Sequence, residues 1–120
     1  MPQLRDGGGD LVNISSVASR VTGPGGAAYY ATKWAINGWS DSLRQELLPD
    51  IRVIVIEPGA VATELATHIT HEESRKGAEE FGASTTIQPE DIAEVIAFAV
   101  SRPRTVSMSE ILVRPTAQAM

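Results

Sequence analysis

Apolar positions along this chain change period several times, and each change marks an element. Leu11 to Ser15 is a short apolar run suited to a buried parallel strand. Ala27 to Leu48 follows a helical period that would carry Trp34, Leu43 and Leu47 toward a core, with Pro49 stopping it. Arg52 to Glu57, centred on Val53-Ile54-Val55-Ile56, is continuously β-branched, as in a strand covered on both faces. From Glu64 to Thr86 the sequence turns polar and reads as a loop with one or two short helices. Pro89-Glu90-Asp91 opens a further helix, with proline at its first position and acids where the helix dipole favours them. Its Ile92, Val95, Ile96 and Ala99 lie at i, i+3, i+4 and i+7, so one face packs. Arg102-Pro103 ends that helix, and Glu110 to Pro115 supplies a last strand. The polar start, closing in Gly7-Gly8-Gly9-Asp10, reads as the tail of an earlier element and a turn. Strand, helix, strand, helix, strand is the order of a parallel α/β sheet with crossover connections.

Composition narrows what such a sheet could do. At 120 residues and 42% hydrophobic content the chain is the size of one small domain with enough apolar material for a core. A formal charge of −5, with no cluster of Lys or Arg, argues against nucleic acid or an anionic membrane as partner. Without cysteine there are neither disulfides nor thiolate metal sites. The first six residues have no apolar signal region and no run reaches membrane-span length, so a soluble, cytoplasmic protein is expected.

The candidate chemistry lies at Tyr29 and Lys33. Four residues apart on a helix, they share a face, and an adjacent ammonium favours phenolate over phenol, which suits proton exchange with a substrate oxygen. A hydroxyl from Ser16, at a strand end, could hold that oxygen. These residues stand in an ordered series: Leu11-Val12-Asn13-Ile14-Ser15-Ser16, a turn at Gly23-Pro24-Gly25-Gly26, then Ala27-Ala28-Tyr29-Tyr30-Ala31-Thr32-Lys33. The series resembles the active-site segment of the short-chain dehydrogenase/reductase family, which has an N-h-S-S strand end, a Y-x-x-x-K helix start and thirteen residues from serine to tyrosine. That spacing selects Ser16 over Ser15 and Tyr29 over Tyr30. Pro58-Gly59-Ala60-Val61-Ala62-Thr63 matches the P-G-x-x-x-T turn that lines the nicotinamide end of the cofactor in the family.

The resemblance implies a specific architecture and role. The fold expected is α/β, a partial Rossmann-like parallel sheet of about three strands with flanking helices, missing the N-terminal dinucleotide-binding half. Residues 1–120 are then one C-terminal fragment of a single domain, strands five to seven of a seven-stranded sheet, with 64–86 as substrate lid. None of the ten glycines forms the family's G-x-x-x-G-x-G turn, and its N-N-A-G segment and relay asparagine are missing; Asn13 precedes Ser16 and Asn37 lies beyond Lys33. The strand ending at Ser16 would be left with an uncovered edge. The implied activity is NAD(P)-dependent hydride transfer, NADP slightly favoured, on a small-molecule alcohol or carbonyl substrate. In it Ser16, Tyr29 and Lys33 are catalytic, while Tyr29, Lys33, Pro58, Gly59, Val61 and Thr63 hold the cofactor. The isolated chain is expected to have little or no activity, and the full-length form to be a dimer or tetramer.

Other readings stay open. Ser16 could cap the strand end, and Thr63 could be an N-cap. His68 and His71, beside Glu72 and Glu73, have metal-like spacing without converging further ligands, and no metal is expected. Trp34 and Trp39 read as packing residues on different faces of the long helix, one of them available to a partner subunit. The chain could instead be a non-catalytic oligomerisation module, or could serve epimerase- or dehydratase-like chemistry that shares Y-x-x-x-K.

Overall fold

The computed structural model describes residues 2–62 and 86–119. Expectations for Thr63, for the histidines at 68 and 71, and for the lid short of Thr86 lie outside those residues. A short helix α1 (Pro2–Gly7) leads through Gly8, whose φ of +69° glycine adopts without strain, into strand β1 (Asp10–Ile14). One 3₁₀ turn (Val17–Ser19) and the long helix α2 (Ala27–Leu47) follow, then strand β2 (Arg52–Pro58). Helix α3 (Pro89–Val100) and strand β3 (Glu110–Val113) complete the order.

Among the described residues all strand pairings are parallel and the sheet order is β1-β2-β3, with Asp10 opposite Arg52 and Val55 opposite Glu110. The β-branched run takes the centre, and every residue from Arg52 to Glu57 is buried. Alternation along β2 divides its side chains between the two faces. Ile54 and Ile56 meet Ile92 and Ala99 of α3, with Val95 and Ile96 packed beside them, the stripe expected of that helix. Val53 joins Leu47 and Ile51 on the other face, against Leu4, Leu11 and Leu43. A capping box at Gln88 and Asp91 starts α3, with Pro89 at its first turn.

Trp34 departs from expectation. Instead of entering the core it is 49% exposed, and its indole N–H donates to the Val21 carbonyl at 3.1 Å. Trp39 is likewise half-exposed. The inward face of α2 carries a polar position at Ser40, whose buried hydroxyl accepts from Asn13 Nδ2 at 2.8 Å, and Ser15 Oγ donates to the Lys33 backbone carbonyl at 3.4 Å. Leu43 and Leu47 alone of the three residues expected inward take core positions. Among the described residues β1 lies at one side of the sheet, and Ile14 at its end is half-exposed.

Candidate active site

β1 and β2 run parallel and end together; the Ser15 amide donates to the Ile56 carbonyl at 2.7 Å. Ligands of open parallel sheets gather outside such carboxyl ends. Just past β1, buried Ser16 begins the 3₁₀ turn, its Oγ accepting from the Ala18 amide at 3.0 Å. The same oxygen lies 3.4 Å from the Tyr29 hydroxyl, which donates to it. Capping and a place beside the tyrosine therefore coexist in one hydroxyl. Lys33 Nζ stands over the Tyr29 ring, 5.8 Å from its centroid, near enough for cation–π attraction. Tyr29 itself is 48% exposed, leaving its phenol open to solvent or a ligand.

Two neighbouring tyrosines have separate fates for a steric reason. Tyr30 lies against the glycine turn: a Cβ on Gly26 would sit 2.8 Å from its ring, and one on Gly23 would sit 3.2 Å from its hydroxyl. Glycine at these positions gives Tyr30 a packing surface, while Tyr29 meets it edge-on at 6.0 Å and turns toward Ser16.

The Pro58-Gly59 turn leaves the carboxyl end of β2 under tight constraint. Gly59 N–H donates to the Val113 carbonyl at 2.7 Å, and the Ala60 amide donates to Gln118 Oε1 at 2.8 Å. A side chain on Gly59 would push Gln118 away from the Ala60 amide and press on Pro115 Cδ at 3.1 Å, so glycine keeps this contact in place. Val61 bridges to Ile87 in parallel, joining the turn to the residues before α3. Thr63, the last residue of the motif, lies outside the described residues.

Comparison with known proteins accords with this arrangement. The family model described as short chain dehydrogenase matches residues 1–74, which include the serine, the tyrosine, the lysine and the whole proline-glycine turn. The chain belongs to the short-chain dehydrogenase family. An uncharacterised oxidoreductase of Staphylococcus saprophyticus is 36% identical over 115 residues, covering 93% of this chain and 46% of the relative. The NADP-dependent 3-hydroxy acid dehydrogenase of Schizosaccharomyces pombe is 37% identical over 111 residues, covering 92% and 43%. A serine dehydrogenase solved in closed form with NADP+ superposes at a TM-score of 0.84 with 29% identity, over all of this chain and 50% of that one. The chain thus spans about half the length of the relatives it matches.

Behind the family's residues sits a polar cluster that the motif does not include. Glu57 is fully buried at the end of an otherwise apolar run. Arg20 grips its carboxylate with two hydrogen bonds, Nε to Oε2 at 2.7 Å and Nη2 to Oε1 at 2.8 Å. Asn37 Nδ2 donates to Oε2 at 3.1 Å and to Ser19 Oγ at 2.9 Å. The Ser19 hydroxyl lies 2.7 Å from the Ser16 carbonyl oxygen and 2.9 Å from Glu57 Oε2, with one proton for either. Burial pushes the Glu57 carboxyl up, but hydrogen bonds from Arg20, Ser19 and Asn37 outweigh it and hold the group below the usual carboxylate range. The signal available in the sequence was a lone acid closing a β-branched run. Nothing in the sequence marked Arg20 as its partner. Among the described residues no group of acids and histidines is placed to hold a metal, and no helix is long and apolar enough to cross a membrane.

Proposed function

We propose that the chain is the C-terminal, active-site half of one NAD(P)-dependent oxidoreductase domain that interconverts alcohols and carbonyl compounds. The observation that carries this reading is the Tyr29 hydroxyl 3.4 Å from Ser16 Oγ, with the Lys33 ammonium over the same ring, at the carboxyl ends of parallel strands. The accessible phenol and the ammonium above it fit the nicotinamide and ribose end of such a cofactor. When bound, a nicotinamide supplies or accepts the hydride. Tyr29 gives or takes the proton on the substrate oxygen, and Ser16 hydrogen-bonds that oxygen. Lys33 stabilises phenolate and binds ribose hydroxyls, while Pro58, Gly59, Val61 and Thr63 position the carboxamide. NADP is favoured over NAD, in line with the cofactor named in the fission-yeast relative and in the serine dehydrogenase complex. Hydroxy acids and simple ketones are the substrates to assay first.

The test is turnover of NADPH and NADH by the chain alone and with the N-terminal half of a curated relative added in trans. Little or no rate is expected from the chain alone, and a measurable one after complementation. Tyr29→Phe should then lower kcat/KM by about 10² to 10⁴, the usual worth of general acid–base help. A complemented enzyme indifferent to that change would remove Tyr29 from the chemistry.

A second reading has its own support. Half-exposed Trp34 and Trp39 suit a fragment that assembles with other subunits without turning over. In the full-length form we propose a dimer or tetramer. Binding to a full-length relative without turnover, seen by size exclusion, would favour this alternative.

A further inference from the structure

We infer that Glu57 is the positioning residue of the site, its carboxylate joining the three segments that carry Ser16, Tyr29 with Lys33, and the Pro58-Gly59 turn. The inference rests on the catalytic reading above and adds to it a group that touches neither substrate nor cofactor. A carboxylate with no exposure in the central strand is costly unless several donors satisfy it. Here each donor comes from a segment bearing a site residue. Ser19 and Arg20 lie just beyond Ser16, and Ser19 also contacts the Ser16 carbonyl from both its amide, at 3.0 Å, and its hydroxyl. Asn37 stands one helical turn past Lys33 and two past Tyr29, on the same face of α2, and donates to Glu57. Glu57 is itself bonded to Pro58, first residue of the turn. The rotation of α2 is thereby tied to the strand end that presents Ser16.

An ion pair serving stability alone would need only Arg20, and apolar residues of similar volume commonly replace such pairs without loss. What apolar packing would not supply is direction, because it is tolerant of sliding and rotation. Directed donors from Arg20 and Asn37, with the Ser19 hydroxyl shared between this carboxylate and the Ser16 carbonyl, fix helix, loop and strand end together.

Isotope-labelled 120-residue chain provides the test by nuclear magnetic resonance, which requires no turnover. The Ala18 amide reports the Ser16 hydroxyl, the Ser19 amide reports the Ser16 carbonyl, and the Tyr29 ring reports the helix. In Glu57→Gln both amides should exchange about tenfold faster or more, and the Tyr29 ring signals should move. Ile92→Val, a core change on α3 away from the cluster, lowers stability without touching it and should leave all three signals in place. If Glu57→Gln does not fold, Arg20→Lys serves: its side chain is 43% exposed, and the change keeps the charge while losing the two-pronged grip. Ala18, Ser19 and Tyr29 signals that respond no more than in Ile92→Val would overturn the inference, whatever the activity. Retained turnover in complemented Tyr29→Phe would instead strike the catalytic reading, with these signals still moving in Glu57→Gln, so the two failures are distinguishable.

Discussion

At the scale of single residues, Lys33 is the most discriminating position. Its ammonium stands over the Tyr29 ring, 5.8 Å from the centroid, where its N–H donors can also meet a ligand. Lys33→Met keeps the apolar stem and removes the charge. In a complemented enzyme it should depress kcat/KM by about 10² or more, and weaken cofactor binding in a fluorescence titration. Unchanged cofactor affinity would refute a ribose contact. That Tyr29 and Lys33 share a face was legible from the one helical turn between them, whereas the approach of Ser16 across thirteen residues was expected only through the family resemblance. The Glu57 cluster was not, since its strongest contact joins positions 20 and 57 through the fold, and several acids and arginines could have paired instead. Sequence periodicity also misplaced Trp34, because it assumes that the inward stripe of a helix is apolar, whereas here Asn37 and Ser40 take inward positions.

At the scale of elements, that polar stripe explains how α2 is seated. Its second half is held by Leu43 and Leu47 against Ile51 and Val53, a contact that excludes water but tolerates small rotations. Between these leucines and the catalytic candidates, the middle of the helix is held by directed bonds from Asn13 to Ser40 and from Asn37 to Ser19 and Glu57. Asn13→Ala strands the fully buried Ser40 hydroxyl and should cost about 1–3 kcal/mol, read as a lower denaturant midpoint at unchanged slope. Ser40→Ala in the same background should cost little further, because the pair is already broken. Additive losses would show that the two side chains act separately. The elements themselves were legible to within a residue or two at their ends, since periodicity and the proline and glycine stops are local properties; β1 runs from Asp10 to Ile14 where Leu11 to Ser15 was expected.

At the scale of the whole molecule, β2 is bracketed by two ion pairs at opposite ends of the sheet. At its start the buried Arg52 guanidinium binds Asp10 through Nε at 2.6 Å and Nη2 at 2.9 Å, and donates to the carbonyls of Val100, Arg102, Pro103 and Val106. It thereby ties the sheet to the end of α3, where the helix dipole also favours a cation. At the other end stands Glu57 with Arg20, and Arg20 reaches Glu110 of β3 as well. The hydrogen bond from Arg52, with help from Arg104, holds the Asp10 carboxyl below its usual range against the opposing pull of burial, and Glu57 is held below its range likewise. A carboxyl depressed by folding binds its proton more readily in the unfolded chain. The stability it contributes is therefore complete above the unfolded value of about 4 and disappears as pH falls through the lower folded value. Melting temperature should stay nearly level from neutrality to about pH 5 and fall steeply below about pH 4. Arg52→Met leaves Asp10 without its main partner and the Val100, Arg102 and Val106 carbonyls short of a donor, and should cost about 3–5 kcal/mol at neutral pH. With the Arg52 pair gone, the Asp10 carboxyl has less to lose on acidification, so the acid limb of the profile should also become shallower in that variant. A melting temperature independent of pH down to about 3, or an acid limb as steep in Arg52→Met as in the parent, would show that these pairs do not govern the acid stability of the fold.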